Sequence, residues 1–207
     1  TMFRLMVILL AILSLGTVAD SRADEILANL VRLQKGEILH EYTRRDEPGG
    51  SIRAEILIQS KLQPIWDLLT GCGEAFVFVD GLEVCEILEI SSERARIHQV
   101  ADPGILAPEQ DYIYQTEFQP FSRMDFKLVE GTLDALEGSW QFFEVPGGVV
   151  ITYNMHVQPG IPVPRFLVRG SIRRTITGML ACIRGLVSGS GGAEALEDDL
   201  GRCKGEN

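Results

Sequence analysis

Hydrophobic and polar residues alternate along most of the chain from residue 36 to residue 158, and this period of two predicts β-strands. The alternation is clearest in the run 149–158. One face of that run carries only apolar or aromatic side chains, namely Val149, Ile151, Tyr153, Met155 and Val157. Because the other face is mostly polar, the strands are expected to form a sheet with one side on a core and the other toward water.

Turn residues divide the alternating region into eight extended runs. The predicted strands are 36–46, 51–59, 82–90, 94–100, 111–119, 123–130, 136–145 and 149–158. Their hairpin-like spacing favours a curved antiparallel sheet. The longest interruption, 101–110, contains Pro103, Gly104 and Pro108 and is expected to be a mobile loop, a candidate lid over a binding site.

Apolar residues at three- and four-residue spacing predict helices over 25–33, 61–70 and from Phe166 to Val187. The last helix follows a proline-rich turn, and its apolar stripe is formed by Phe166, Ile172, Ile176, Met179, Leu180, Ile183 and Val187. This stripe is expected to lie on the apolar face of the sheet. The predicted fold class is therefore α+β, with a curved antiparallel sheet wrapped on a long C-terminal helix. Such an arrangement tends to leave an apolar space between helix and sheet, which suits small hydrophobic ligands.

The N-terminus has the pattern of a secretory signal. Arg4 precedes the apolar run 5–15, and small residues lead to Ser21-Arg22-Ala23. We expect cleavage after Ala23 and a periplasmic or secreted protein. The alternative is an N-terminal membrane anchor, although a span needs about 20 apolar residues. The expected organisation is a signal peptide over 1–23, one domain over 24–187 and a disordered tail over 188–207, which begins with a serine- and glycine-rich run.

Charge narrows the set of partners. The 207 residues include 19 basic and 29 acidic side chains, which give a net charge of −10. Nucleic-acid binding requires a basic surface, so no nucleic-acid partner is expected.

Four cysteines would pair in an oxidising compartment, and three pairings are possible. Cys72 and Cys85 are the favoured pair, because they flank a short loop between a helix end and a strand start. The alternative is four free thiols, with Cys182 filling the core.

The order of elements resembles that of the START-like, or SRPBCC, superfamily with its helix-grip fold. Within it the chain is similar to the polyketide cyclase/dehydrase and coenzyme Q-binding Coq10-type group. The resemblance is carried by residues 56–69, 81–90, 138–140 and 149–167, of which the last ends in Val163-Pro164-Arg165-Phe166-Leu167. It implies a hydrophobic cavity beneath the long helix, of the kind that the superfamily uses for lipids, sterols, isoprenoid quinones or polyketides.

Residues on the apolar strand faces and on the helix are candidates for the cavity wall; the alternative for each is solid core. The three tyrosines among them are the stronger candidates, because a buried hydroxyl needs a partner and could orient the polar end of a ligand. The candidates are Tyr112, Tyr114, Met124, Phe126, Leu128, Trp140, Phe142, Ile151, Tyr153, Met155, Phe166, Ile172, Ile176 and Met179.

Arg165, Arg169 and Arg173 recur every four residues and share one flank of the last helix. They are candidates for contact with anionic headgroups or with an acidic partner beside the cavity mouth. The alternative is pairing with carboxylates of the sheet, such as Asp125 or Glu144.

Catalytic motifs are not evident in the sequence. His40, His98 and His156 are the obvious general bases, but the last two fall on polar strand faces, and a cyclase would need a base aimed into the cavity. Zinc-ligand spacing, a phosphate-binding glycine loop and a nucleophile elbow are also missing, so no metal or cofactor is expected.

The predicted function is periplasmic binding or transport of a hydrophobic small molecule, with a membrane surface or membrane protein as a further partner. The alternatives are an aromatase/cyclase-type enzyme and a non-catalytic interaction module that docks on a membrane complex.

Overall fold

The computed structural model describes residues 28–42, 49–102, 108–188 and Cys203. The chain divides into two compact units, Thr1–Glu37 and Ile38–Asn207. In the first unit the described residues include a helix, α1, over 28–34. The predicted signal peptide, the centre of the 101–110 loop and the tail beyond 188, Cys203 excepted, lie outside the described residues and stay predictions.

The second unit contains the remaining elements. The strands are β1 (Leu39–Tyr42), β2 (Gly50–Ile58), β3 (Leu82–Ile90), β4 (Arg94–Ala101), β5 (Gln110–Gln119), β6 (Arg123–Gly131), β7 (Leu133–Val145) and β8 (Gly148–Pro159). The helices are α2 (Leu62–Thr70), α3 (Ala75–Phe78) and α4 (Arg165–Val187). Of these, the four-residue helix α3 was not predicted from the sequence.

The described strands form one antiparallel sheet in the order β1-β2-β8-β7-β6-β5-β4-β3. The pairing of β2 with β8 joins an early and the last strand of the sheet, while β1 and β3 are left as edges. The sheet is therefore curved but not closed, and α4 packs on it. This confirms the predicted α+β helix-grip fold class.

We define the inner face as the side of the sheet that carries Ile52, Ile56, Tyr153 and Met155, and the outer face as its opposite. The hydrophobic core lies on the inner face, where Ile52 and Ile56 are almost fully buried. Because side chains alternate between faces, the apolar positions of the sequence pattern meet the helices on this side.

The position of α4 is set by its contact with the first residue of β2. A Cβ atom at Gly50 would lie 2.5 Å from Ile172 Cδ1 and 3.1 Å from Val168 Cγ1. The missing side chain thus lets α4 approach β2 closely. The backbone of α4 packs mainly on β1, β2, α2 and α3, rather than across the whole sheet.

The apolar stripe predicted for α4 packs against the protein except at the start of the helix. Ile172, Ile176, Leu180 and Ile183 are buried, whereas Phe166 is 73% exposed. At 3.6 residues per turn Phe166 lies about 200° around the helix from the buried Val168, which turns it away from the sheet. Phe166 is therefore not a wall residue, contrary to the sequence-based expectation.

Both disulfides are present among the described residues. Cys72, just after α2, is joined to Cys85 of β3, which is the pair favoured from the sequence. Cys182 in α4 is joined to Cys203, a pair that had not been singled out. The first bond ties α2 and α3 to an edge strand, and the second ties the C-terminal tail to α4.

Within the part of the chain that the structure describes, no helix has the length and apolar content that crossing a membrane requires.

Candidate functional site

Five aromatic side chains form a continuous row across the inner face, from β5 to β8. Their successive ring centroids are separated by 6.2, 6.4, 6.0 and 4.2 Å in the order Tyr112, Tyr114, Phe126, Tyr153 and Trp140. The Phe126 and Tyr153 rings are stacked, with 20° between their planes. We call this set the aromatic row.

Strand register and one glycine bring the row together. Trp140 and Tyr153 are directly opposite each other on β7 and β8, so their rings meet. Gly138 lies two residues before Trp140 on the same face, and a Cβ atom there would stand only 2.4 Å from Cζ of Phe126. The absence of a side chain at Gly138 makes room for the Phe126 ring.

The aromatic row is only partly covered by protein. Tyr153 is 6% exposed and Phe126 9%, but Tyr112, Tyr114 and Trp140 are only half-buried. Since α4 packs chiefly over β1 and β2, the inner face farther along the sheet keeps apolar surface that solvent can reach. Such surface on the core side of a sheet is a place where a hydrophobic ligand could lie.

The three tyrosine hydroxyls of the row differ in their hydrogen bonding. The Tyr112 hydroxyl donates to Oε1 of Gln99 at 3.0 Å, and Gln99 Nε2 in turn lies 3.7 Å from the Cys85 sulfur. In the described part of the chain no protein group is within hydrogen-bonding distance of the Tyr114 or Tyr153 hydroxyl. Neither oxygen is among the fully enclosed polar atoms that lack a partner, so both hydroxyls can meet water or a polar atom of a ligand.

Burial keeps these hydroxyls protonated. It raises the pKa of Tyr112 to about 12. Burial also raises the pKa of Tyr114 and of Tyr153, and the neighbouring tyrosines add to the increase by opposing a second negative charge. At neutral pH all three tyrosines are therefore hydrogen-bond donors.

The described strand residues around the aromatic row are mostly uncharged. Between Gln99 on β4 and Met155 on β8 the described inner-face side chains are apolar, aromatic, hydroxyl or amide groups, such as Ile97, Thr116, Met124 and Leu128. Glu144 shares this face but is exposed at the end of β7. The arrangement can therefore hold an apolar molecule and offer it hydroxyl groups.

Five of the other proposed wall residues are buried in the core. Met124, Ile151, Ile172 and Ile176 are buried, and Phe142 packs on Trp66 of α2 at a centroid distance of 5.7 Å. Met155 and Met179 are half-buried, like the exposed part of the row. The sequence pattern placed these residues on the inner face but could not separate buried from half-buried positions, since both share one alternation.

Ion pairs lie on the outer face, where the sequence places the polar half of each strand. Arg123 pairs with Asp125, so this carboxylate is engaged by its own strand rather than by α4. Arg173 of α4 is exposed. The side chains of Arg165 and Arg169 lie outside the described residues.

Two histidines have partners on the outer face that the sequence did not reveal. His98 Nε2 is 2.8 Å from Oδ1 of Asp111, and His156 Nδ1 is 2.8 Å from Oγ of Ser51. Neither ring faces the aromatic row. Among the described residues, no group of three or more histidine, cysteine, aspartate or glutamate side chains could hold a metal ion.

Two hollows in the described structure are lined mainly by residues outside the aromatic row, although the first also touches Phe126. One, of about 560 Å³, is on the outer face and is lined largely by polar and charged residues of β5 to β8, including Glu117, Arg123, Lys127 and Asn154. The other, of about 420 Å³, is at the start of α4 and is lined by Gly49, Asp134, Gln158, residues 159–163 and Val168. Most residues that line the larger hollow are polar or charged, whereas the aromatic row presents apolar rings, so we take the aromatic row as the candidate site for a hydrophobic ligand.

Comparisons with known proteins agree with this fold. The STAR-related lipid transfer protein from Xanthomonas axonopodis matches with a TM-score of 0.63 and 15% identity over 72% of this chain and 93% of that chain. Human StAR-related lipid transfer protein 5 matches with a TM-score of 0.62 and 12% identity, over 84% and 98% of the two chains. The di-domain ARO/CYC StfQ of the steffimycin biosynthetic pathway matches with a TM-score of 0.55 and 9% identity, over 84% of this chain and 61% of that chain.

At these identities the three structures establish the fold alone. No curated protein matches the chain in sequence. The sequence does match the family described as polyketide cyclase/dehydrase and lipid transport over residues 58–184, from the end of β2 to the last turn of α4. The chain therefore belongs to the polyketide cyclase/dehydrase and lipid transport family.

Proposed function

We propose that this protein binds a hydrophobic small molecule, such as a lipid, isoprenoid quinone or sterol, against the aromatic row, and that it carries or shields this molecule in an extracytoplasmic compartment. The observation that carries the proposal is the half-buried aromatic row with two unpartnered tyrosine hydroxyls on the core side of the sheet. The names of the similar lipid transfer proteins support it.

Burial of apolar ligand surface supplies the affinity. At about 25 cal/mol per Å², covering 200 Å² of ligand contributes about 5 kcal/mol before the entropic cost of association. The Tyr114 and Tyr153 hydroxyls would fix the polar end of the molecule.

The direct test is mass spectrometry of organic extracts from natively purified protein. We expect a hydrophobic molecule in stoichiometric amount. Met155→Trp should abolish it by filling the space beside the row, while Val129→Trp, at a position that is 46% exposed, should retain it. Unchanged extracts from the Met155 variant, with both variants folded, would contradict a site at the row.

The same extract separates the subtypes. An isoprenoid quinone would support the Coq10-type resemblance. A polyketide converted in a manner that depends on one inward polar side chain, such as the Tyr153 hydroxyl, would instead favour an aromatase/cyclase. An empty, fully packed protein would favour an interaction module.

Export is supported by the cysteines as well as by the N-terminal pattern. All four cysteines are paired in the two disulfides, and structural disulfides are typical of oxidising compartments. Expression of the full chain in a Gram-negative host should yield a periplasmic product whose first residue is Asp24. A cytoplasmic product with the intact N-terminus would contradict export.

Contact with an anionic membrane is proposed for the start of α4. Helix α4 has five arginines and no acidic residue, on a chain whose net charge is −10. Phe166 is 73% exposed, and Ile161, just before the helix, is 43% exposed. Exposed apolar residues beside arginines suit the interface of an anionic bilayer.

Flotation with vesicles tests this contact. The protein should float with vesicles that contain phosphatidylglycerol and not with pure phosphatidylcholine. Phe166→Ser and Arg173→Glu should lose binding, whereas Lys127→Glu, which makes the same charge change on the outer face, should keep it. Equal flotation of Arg173→Glu and Lys127→Glu would contradict a contact through α4.

A further inference from the structure

We infer that the ligand of the aromatic row is uncharged and presents a carbonyl or hydroxyl oxygen to the Tyr114 and Tyr153 hydroxyls. This inference rests on the proposed function and narrows its ligand class. It favours neutral molecules that carry a ketone, quinone or alcohol group over fatty acids and phospholipids. Three features of the site support it.

The first feature is the absence of a counter-charge. Apart from Glu144, which is exposed at the end of β7, no described inner-face side chain from Gln99 on β4 to Met155 on β8 is basic or acidic. The described ion pairs of these strands, such as Arg123 with Asp125 and His98 with Asp111, are on the outer face. A carboxylate or phosphate on the aromatic row would lose hydration without gaining a cation from the described face of the sheet, and such burial is strongly unfavourable.

The second feature is the placement of the free donors. The rings of Tyr114 and Tyr153 lie on either side of Phe126, at centroid distances of 6.4 and 6.0 Å from it. Tyr153 is 6% exposed, and in the described chain neither hydroxyl has a protein partner. A carbonyl oxygen has two lone pairs and can accept a hydrogen bond from either donor.

The third feature is that the neighbouring Tyr112 hydroxyl is already engaged. It donates to Oε1 of Gln99, which is itself held beside Cys85. Tyr112 thus contributes its ring to the row and has no free donor hydrogen. Tyr112→Phe is therefore a matched control. Like Tyr114→Phe and Tyr153→Phe it removes one phenolic hydroxyl, but that hydroxyl is already bonded to Gln99 and is not free to donate to a ligand.

Four ten-carbon probes test the inference: 2-decanone, 1-decanol, decane and sodium decanoate, each below its aggregation limit at pH 7.5. Affinity is measured through the fluorescence of Trp140 in a Trp66→Phe background. We expect the ketone and the alcohol to bind at least tenfold more tightly than decanoate. Tyr114→Phe with Tyr153→Phe should weaken ketone binding about tenfold and leave decane binding unchanged, while Tyr112→Phe should have a much smaller effect.

The outcomes separate this inference from the proposed function. Decanoate binding as tight as that of the ketone, or a fatty acid or phospholipid in the native extract, would overturn the inference and leave a hydrophobic-ligand site in place. Equal ketone binding by the double tyrosine variant would overturn the role of the hydroxyls. Failure of every probe, together with an empty native extract, would overturn the proposed function as well.

Discussion

The ring centroids of Trp140 and Tyr153 lie 4.2 Å apart across the β7–β8 pair. The indole is half-buried and the phenol buried, so a molecule on the aromatic row would contact both. This proximity makes Trp140 an intrinsic reporter of the site.

Ligand binding is therefore expected to change the fluorescence of Trp140. The chain has two tryptophans, so Trp66→Phe leaves Trp140 alone. Addition of 2-decanone should shift its emission to shorter wavelength, because the indole loses contact with water. In Trp140→Phe the remaining Trp66, packed among Phe118, Phe121 and Phe142, should respond weakly. A larger fluorescence change from Trp66 than from Trp140 would indicate that the ligand binds near α2 instead of on the aromatic row.

Stability is expected to fall at high pH because of the buried tyrosines. The folded pKa of Tyr112 is raised to about 12, so unfolded chains lose this proton first, near pH 10. Stability from this group is fully present below pH 10 and is lost as pH rises toward 12, by up to about 1.4 kcal/mol per pH unit. Urea unfolding at several pH values measures the slope.

The tyrosine variants check the origin of this slope. Tyr112→Phe and Tyr153→Phe should each make the decline above pH 10 shallower, since each removes a group whose pKa burial raises. Tyrosinate absorbance should also rise at higher pH in folded protein than in urea. Identical titrations in the two states would show that these hydroxyls are not buried.

The approach of α4 to β2 is expected to limit substitution at Gly50. Valine there would meet Ile172 and Val168, and overpacking of this kind costs about 1–3 kcal/mol. Alanine should cost less, because Ile172 meets it with the end of a flexible side chain. Thermal and urea unfolding measure both effects.

A glycine elsewhere in the same helix provides the opposite expectation. A Cβ atom at Gly178 would meet nothing within 4 Å, so Gly178→Ala should stabilise the protein, by up to about 1 kcal/mol, through helix propensity alone. If Gly50→Val were as stable as Gly178→Ala, the proposed packing of α4 on β2 would be wrong.

The Cys72–Cys85 disulfide is expected to contribute about 3 kcal/mol to stability, the value for a closed loop of roughly this length. The free energy of unfolding of the Cys72→Ala/Cys85→Ala variant should be lower by about 3 kcal/mol, so the variant should unfold at a lower urea concentration than the wild type. Thiol titration should find no reactive cysteine in the unreduced wild type, even when unfolded. Free thiols in the unfolded, unreduced protein would show that the pairs do not form.

Local sequence patterns were sufficient for the elements and the fold class. Strands β2 to β8 and helices α2 and α4 fall close to their predicted bounds, because alternation, helical spacing and turn residues are properties of neighbouring positions. Strand β1, predicted over 36–46, begins only at Leu39. The pairing of Cys72 with Cys85 could likewise be anticipated, since the two residues flank one short connection. Helix α3 is too short to give a periodic signal.

Packing between elements distant in the chain decided which residues of the inner face are covered. Phe142 and Trp140 share one face of β7, yet Phe142 is core beneath Trp66 while Trp140 is half-buried. That difference depends on where α2 and α4 cross the sheet, and the contact of Gly50 with Ile172 fixes the second crossing. The sequence by itself thus determined which residues face inward. Only the tertiary structure decided which of them stay uncovered, because coverage depends on the placement of elements distant in the chain.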